Sequence, residues 1–436
     1  MWAYESVFYQ IYPLGFCGAP FENDGVSVSR IKKVNDWIGH IKELHCNAIY
    51  FSPIFESDTH GYNTRDYKKI DTRLGTNEDF KEVCENLHKE DIKVVLDGVF
   101  NHVGRGFFAF QDVLRNREHS PYLHWFHIDL GGNSHYNDGL WYEGWEGNYD
   151  LVKLNLRNEE VIAHLLDAVK FWIEEFHIDG IRLDVAYCLD HDFMRRLRSH
   201  CDGLKSDFFL LGEMVHGDYN QLVNDGMLHS ATNYECYKGL FSSFNSMNMF
   251  EIIHSLLRQF GPENWTLYRG KHLFTFVDNH DVTRIASNLS NPEHLTTVYG
   301  MLFGMPGIPC VYYGSEWGAK AHKNEGDPAL RASYDMPESN EVTKFIAKMA
   351  EAKHNSVALN YGEFRSVVLT NKQCIFERKT GEERVLVAIN ADSEEYVAHF
   401  DAGCGRAEEL ITGEIHDFGG GSVMKPYSVA FWKCER

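Results

Sequence analysis

Basic residues are in short supply in this chain: 42 Lys and Arg stand against 63 Asp and Glu, a formal charge of −21 over 436 residues. Such a surface repels phosphodiester backbones and anionic bilayers, so neither nucleic acid nor a membrane is an expected partner. No stretch is long and uncharged enough to span a bilayer, and no basic start followed by an apolar run opens the chain. The ten cysteines include no CxxC pair, and several lie in apolar runs such as Ile308-Pro309-Cys310-Val311. That usage suits reduced core thiols rather than a disulfide framework or a zinc site, and the expectation is a cytoplasmic protein. Repeats longer than a single strand-helix unit, low-complexity tracts and flexible linkers are also missing.

What is present is an alternation. Short β-branched apolar runs are followed by amphipathic segments at helical spacing, the rhythm of βα units around a parallel sheet. Eight strands can be counted: Val7 to Phe16, Asn47 to Ile54, Ile92 to Phe100, Gly180 to Ala186, Phe208 to Met214, Ala231 to Tyr234, Leu273 to Asn279 and Pro309 to Gly314. Helices are predicted from about Ser29 to His45, after an N-cap at Thr76, after an N-cap at Asn158, and near Val342 to His354. Between about His102 and Asn155 the rhythm lapses into a stretch rich in Gly, Asn, His and aromatics, including Trp125, Trp141, Tyr142, Trp145 and Tyr149. Most of those aromatics are expected to form that segment's own core. Past about Asn360 only short β-like runs remain. The fold class is therefore a (β/α)8 barrel over 1–101 and 158–359, with an insertion over 102–157 after the third strand and an antiparallel β domain over 360–436.

In such a barrel the chemistry sits at the C-terminal strand ends. Four strands end in polar residues: the third at Asp97-Gly-Val-Phe-Asn101-His102, the fourth at Arg182-Leu-Asp184, the fifth at Gly212-Glu213 and the seventh at Asp278-Asn279-His280-Asp281. Several carboxylates would converge on one cleft. Acids with only Arg and His for company suit glycosidic chemistry, where one carboxylate attacks the anomeric carbon and another protonates the leaving oxygen. A hard-cation site would more often draw its acids from one loop at short intervals.

These four segments resemble, in order and spacing, the four motif regions of the α-amylase superfamily, glycoside hydrolase family 13. Tyr9-Gln-Ile-Tyr-Pro13, Gly61-Tyr62-Asn-Thr-Arg-Asp66-Tyr67 and Asp327-Pro328-Ala-Leu-Arg331 resemble supporting motifs, so the likeness covers essentially the whole chain. The resemblance implies a retaining hydrolase of α-glucan oligosaccharides, with Asp184 as nucleophile, Glu213 as acid/base and Asp281 as the third acid. It implies that Arg182 keeps Asp184 ionised, that His102 and His280 donate to sugar hydroxyls, that Tyr62 stacks under the ring, and that Asp327 and Arg331 reach the next sugar. Asp97 and Asp66 are supporting residues in this reading, Asp97 as a brace for Arg182.

Leu151-Val-Lys-Leu-Asn155 resembles the form found in neopullulanase and cyclomaltodextrinase members, and Val185 after the nucleophile is common where α-1,6 bonds are accepted. Val215 and Asn63 depart from that subgroup's usual Trp and Asp. No cofactor is expected. Asn101 matches a position that binds structural calcium in many α-amylases, but Val185-Ala-Tyr-Cys-Leu189 lacks their Lys-x-His ending and Glu22-Asn-Asp-Gly25 lacks dense acids. A 4-α-glucanotransferase of the same family and a non-catalytic sugar-binding relative are the alternatives; the latter usually lacks one of the three acids, and all three stand here.

Overall fold

The computed structural model describes residues 1–435. Eight parallel strands form the central sheet: β1 (Phe8–Ile11), β2 (Ala48–Phe51), β3 (Lys93–Gly98), β4 (Gly180–Leu183), β5 (Phe209–Gly212), β6 (Ser230–Ala231), β7 (Phe274–Phe276) and β8 (Ile308–Tyr312). Their order runs β6-β5-β4-β3-β2-β1-β8-β7, and a parallel bridge between Thr232 and Phe274 brings the two ends together into a barrel. Apart from Lys93 at the start of β3, these strands are buried along their length, as a sheet covered on both faces must be.

Several strands are shorter than their apolar runs suggest. The run to Phe16 leaves the sheet at Ile11 and turns helical over Pro13–Phe16, since proline pre-sets a first helical turn. The run to Ala186 leaves it at Leu183. The residues that follow each strand turn inward over the barrel mouth, and that departure from the ladder frees Asp184 and Glu213 to face a cleft. The predicted helix over 29–45 is a 3-10 run, Arg30–Trp37, continued by Ile38–Glu43. Helix α1 (Asn77–Lys89) opens on a capping box between Thr76 and Asp79, and α2 (Glu159–Phe176) on Asn158, whose side chain accepts from the amides of Glu160 and Val161.

The barrel interior is filled from below. Phe8, Phe209, Phe274, Phe276, Val95, Leu211, Ile308 and Cys310 form one buried cluster, in which Phe8 meets Phe274 edge-on at 5.2 Å between centroids. Polar groups at the mouth therefore rest on a dry floor.

The segment between β3 and β4 carries its own small sheet. Its strand Asn148–Lys153 returns to pair with His102 and Val103, placing Val152 opposite Val103 and Lys153 opposite His102. Trp125 and Tyr142 are buried in this segment, Trp141 is exposed and Trp145 lines the cleft. The C-terminal residues form a six-stranded antiparallel sheet, built from Glu363–Leu369, Gln373–Lys379, Arg384–Asn390, Ser428–Cys434, Arg406–Glu409 and Ile415–Asp417 in that spatial order.

Helix α3 (His294–Gly304) joins this sheet to the barrel, and its glycines make the fit. A Cβ at Gly300 would stand 2.3 Å from Val429 Cγ2, and one at Gly304 2.6 Å from Val387 Cγ1. Alanine at Gly300 gains about 1 kcal/mol of helix propensity but overpacks the joint at a cost of about 1–3 kcal/mol. Gly300→Ala should therefore lower the urea midpoint, and Val429→Ala in the same chain should recover part of the loss. A midpoint unchanged or raised by the glycine substitution alone would contradict the close packing.

Candidate active site

Strand register builds the site. Arg182 on β4 lies opposite Asp97 on β3 and Leu211 on β5, and the period-2 alternation of a strand puts Asp184 and Glu213 on the same inward side, one step higher. Arg182 is 3% exposed and contacts all three acids. Its Nη1 donates to Asp97 Oδ1 at 2.8 Å and to Asp184 Oδ1 at 2.9 Å, while Nη2 pairs with Glu213 Oε1 at 2.9 Å. Asp97 also accepts from the hydroxyls of Tyr50 and Tyr62, at 2.8 and 3.3 Å, so it braces Arg182 from beneath and lies outside the cleft lining.

The chain makes a strained turn just past Asp184. Val185 adopts φ 40°, ψ 48°, a left-handed conformation that a β-branched side chain seldom takes. In this pose its N–H donates to Glu213 Oε2 at 2.9 Å, and the next amide, Ala186 N, donates to Glu213 O at 3.0 Å. Turn and guanidinium together fix the orientation of the Glu213 carboxyl.

One guanidinium does not neutralise three buried carboxylates. Burial pushes the Glu213 carboxyl up, Arg182 opposes this, and the charge of Asp281 pushes it further up. Asp184 is raised by burial against Arg182, with the charges of Glu213 and Asp97 adding to the rise. The two titrate together. A proton resting on Glu213 removes the negative neighbour that raises Asp184 and leaves it facing Arg182, so the pair is self-consistent with Glu213 protonated and Asp184 ionised.

Asp281 stands across the cleft. Arg331 Nη2 reaches its Oδ1 at 2.8 Å and Asp327 Oδ2 at 3.2 Å, and Arg331 Nε donates to His280 O at 3.1 Å. Burial works against Asp281, but His280, protonated at the low pH where this carboxyl titrates, and Arg331 hold it down to about 2. Asp327 is half exposed at the rim and also pairs with Lys323.

Both histidines are neutral, His102 and His280 each driven by burial to about 3. Asn101 Nδ2 donates to His102 Nδ1 at 3.2 Å, which leaves the ring proton on Nε2, a buried atom with no hydrogen-bond partner that stands 3.8 Å from Asp184 Oδ2. Gln10 Nε2 donates to His280 Nδ1 at 2.8 Å and fixes the same tautomer. His280 Nε2 lies 3.1 Å from Asp281 Oδ2 and is hydrogen-bonded to the Tyr62 hydroxyl.

These groups line a cleft of ≈ 450 Å³ whose walls include Asp184, Glu213, Asp281, His102, Tyr62, Asp327 and Arg331. His60, Trp145, Tyr187, Val215, Tyr234 and Val282 also line it, none of them singled out from sequence for this role. His60 precedes the Gly61-Tyr62 motif directly, and Trp145 was one of several aromatics with nothing to mark it. Asp66 stands apart: it is exposed on the strand Thr64–Ile70, and its carboxylate accepts from the Lys68 amide. Asn63 is likewise a loop brace, bonded to Thr59 through both ends of its amide.

Among the described residues no three His, Cys, Asp or Glu side chains gather in a way that could hold a metal ion. Asn101 Oδ1 is buried without a partner, but it is one neutral oxygen where calcium takes about six to eight.

A family profile described as alpha amylase, catalytic domain, matches residues 10–360. The chain is 30% identical over 429 residues to a maltogenic alpha-amylase from Bacillus acidopullulyticus, covering 92% of this chain and 72% of that protein. It is 29% identical over 464 residues to a cyclomaltodextrinase from Thermoanaerobacter pseudethanolicus, covering 99% and 78%. The solved structure of the ligand-free cyclic alpha-maltosyl-(1→6)-maltose hydrolase from Arthrobacter globiformis superposes with a TM-score of 0.82 at 26% identity, over 100% of both chains.

Removing the cation from this cluster should expose its charge imbalance. In Arg182→Met the buried carboxyls lose their only shared counter-ion, a loss of about 3–5 kcal/mol when they are forced to ionise. Their folded-state pKa values, already raised, rise further above the unfolded value. Stability is then kept near pH 4, where protons are bound, and lost as pH rises through the raised values. Urea midpoints at pH 5 and pH 8 should show a wider gap from wild type at pH 8; an equal gap at both would refute the charge account.

Proposed function

This chain belongs to the α-amylase family of glycoside hydrolases, and we propose that it cleaves α-1,4 and α-1,6 glucosidic bonds of maltooligosaccharides, cyclodextrins or pullulan fragments through a covalent glycosyl-enzyme. The observation that carries the reading is that one guanidinium, Arg182, holds Asp184 and Glu213 on its two terminal nitrogens beside a cleft that Asp281 also enters. Attachment to one planar group supports the close spacing of a retaining pair, about 5 Å, over the about 6.5–9.5 Å of an inverting pair.

In the proposed cycle Asp184, ionised against Arg182, attacks the anomeric carbon while Glu213 gives its proton to the departing oxygen. Glu213 then takes a proton from water, whose oxygen displaces Asp184 from the sugar. Asp281, held ionised by Arg331, faces the positive charge that develops on the ring, and the neutral Nε2–H of His102 donates to a hydroxyl. Tyr62 supplies a ring wall to the same sugar. The apolar surfaces of Trp145, Val215 and Val282 suit the sugar faces beyond it. The maltogenic amylase and cyclomaltodextrinase relatives support this substrate class. Ten free thiols support a reducing, cytoplasmic setting.

Asp184→Asn should lower kcat/KM on maltotriose by about 10⁴-fold or more while leaving oligosaccharide binding in place. Comparable turnover in that variant would remove Asp184 from the reaction. With the wild-type chain, NMR of the first products should show the α anomer. A time course on maltoheptaose, β-cyclodextrin and pullulan should give short sugars; redistribution of chain lengths without net hydrolysis would assign a glucanotransferase instead.

A further inference from the structure

At the opposite end of the barrel, below the N-terminal strand ends, several basic residues gather. The loop Arg269-Gly270-Lys271-His272, which leads into β7, forms a wall shared by two clefts, of ≈ 220 Å³ and ≈ 300 Å³. Pro306 and Gly307, just before β8, and Tyr361 to Phe364, at the start of the C-terminal sheet, complete the smaller one, and Arg378 faces into it.

The cations here lack counter-ions. Arg378 is 1% exposed and Lys353 0%, yet neither pairs with a carboxylate among the described residues. Arg378 Nε donates to Gly362 O at 3.1 Å and Nη1 to Gly304 O at 2.9 Å, and Nη2 meets no acceptor among the described residues. Lys353 Nζ donates to Leu359 O at 3.0 Å. Arg269 and Lys271 are likewise bonded only to backbone carbonyls, those of Gly261, Glu263 and Val223. The carboxylates lining the two clefts, Glu363 and Asp225, form no ion pair with any of these four. Asp218 and Asp225 act on Lys271 only through space.

Buried charges in folded proteins are ordinarily paired, because an isolated one forfeits several kcal/mol of hydration. Burial lowers Arg378 to about 9 and Lys353 well below its usual value, and burial together with both cations brings His272 to about 4. His272 and Arg378 line the smaller cleft and would be relieved by negative charge in it. More than one cation goes unanswered, which favours a dianion over a single carboxylate, and the guanidinium and imidazole N–H groups match tetrahedral oxygens.

We propose that the cleft between Arg269, Lys271, His272 and Arg378 is a binding site for a phosphate group, carried by a small phosphorylated sugar or by free phosphate. It lies at the far end of the barrel from the catalytic cleft and shares no lining residue with it.

Thermal unfolding of the full chain with inorganic phosphate, glucose 6-phosphate or glucose, against potassium chloride at equal ionic strength, tests the site. Saturable rises in Tm of about 2–4 °C are expected from the two phosphate compounds and none from glucose or chloride. Tighter binding of glucose 6-phosphate assigns a sugar phosphate, and equal affinity assigns phosphate itself. The double variant Arg269→Ala, Lys271→Ala, at exposed and half-buried positions, should weaken the affinity about tenfold and leave maltotriose cleavage unchanged. Arg378→Met should abolish binding; should it not fold, the double variant decides. No saturable shift beyond that of chloride, or an affinity untouched by the double substitution, would overturn the proposal.

Discussion

The whole catalytic end of this barrel depends on a single buried guanidinium. Arg182 is the one cation in contact with Asp97, Asp184 and Glu213, and the strands that carry these groups are neighbours in register, β3, β4 and β5. Three carboxylates around one positive charge cannot all ionise cheaply in a dry setting, so the arrangement raises their affinity for a proton. A mechanism that needs one carboxylate charged and one protonated is thereby supplied by charge balance. The strained backbone at Val185 belongs to the same device, because its amide is the second group that fixes Glu213.

Around that centre, neutral donors are oriented by amides. Asn101 and Gln10 each donate to the Nδ1 of a buried histidine, which leaves Nε2 protonated, unpartnered in His102 and turned to Tyr62 and Asp281 in His280. Burial keeps both rings uncharged. A charged imidazole beside Asp184 would compete with Arg182 for it, whereas a neutral one can bond a hydroxyl without altering the balance. The inserted segment contributes to the same end, since its returning strand pairs with His102 and fixes the backbone from which that ring projects.

Much of this was legible in the sequence because acids at the ends of apolar strands are costly and therefore conspicuous. Asp97, Asp184, Glu213 and Asp281 all stand out by that rule, Arg182 does as a charge on the same strand as Asp184, and the eight-strand rhythm places them around one mouth. What stayed hidden depends on shape. Strand ends were overrun by two to five residues, as at Phe16 and Ala186, because an apolar residue that turns over the mouth reads the same as one in the ladder. Trp145 and Tyr142 belong to one aromatic-rich stretch, yet one lines the cleft and the other is core, a choice made by local pairing of the insertion. Asp66 misled for the opposite reason: it sits in a motif beside Tyr62 and Tyr67, but strand alternation turns it outward while Tyr67 turns in. Gln10 carries no mark in the sequence, since an amide on a strand bears no charge, and only the His280 contact gives it a part.

The distribution of charge over the two ends of the barrel follows from the same physics. With a net −21, acids are plentiful, and a cation at the surface readily finds a carboxylate; Lys68, Arg196 and Lys344 all do. At the barrel mouth the acids outnumber Arg182, and burial with mutual repulsion raises the pKa of both Asp184 and Glu213. At the opposite end Arg378 and Lys353 are buried with backbone carbonyls as their acceptors, in a chain that could have offered them carboxylates from many directions. The acids that line the two clefts, Glu363 and Asp225, form no ion pair with these cations, which leaves their charge open to a small anion.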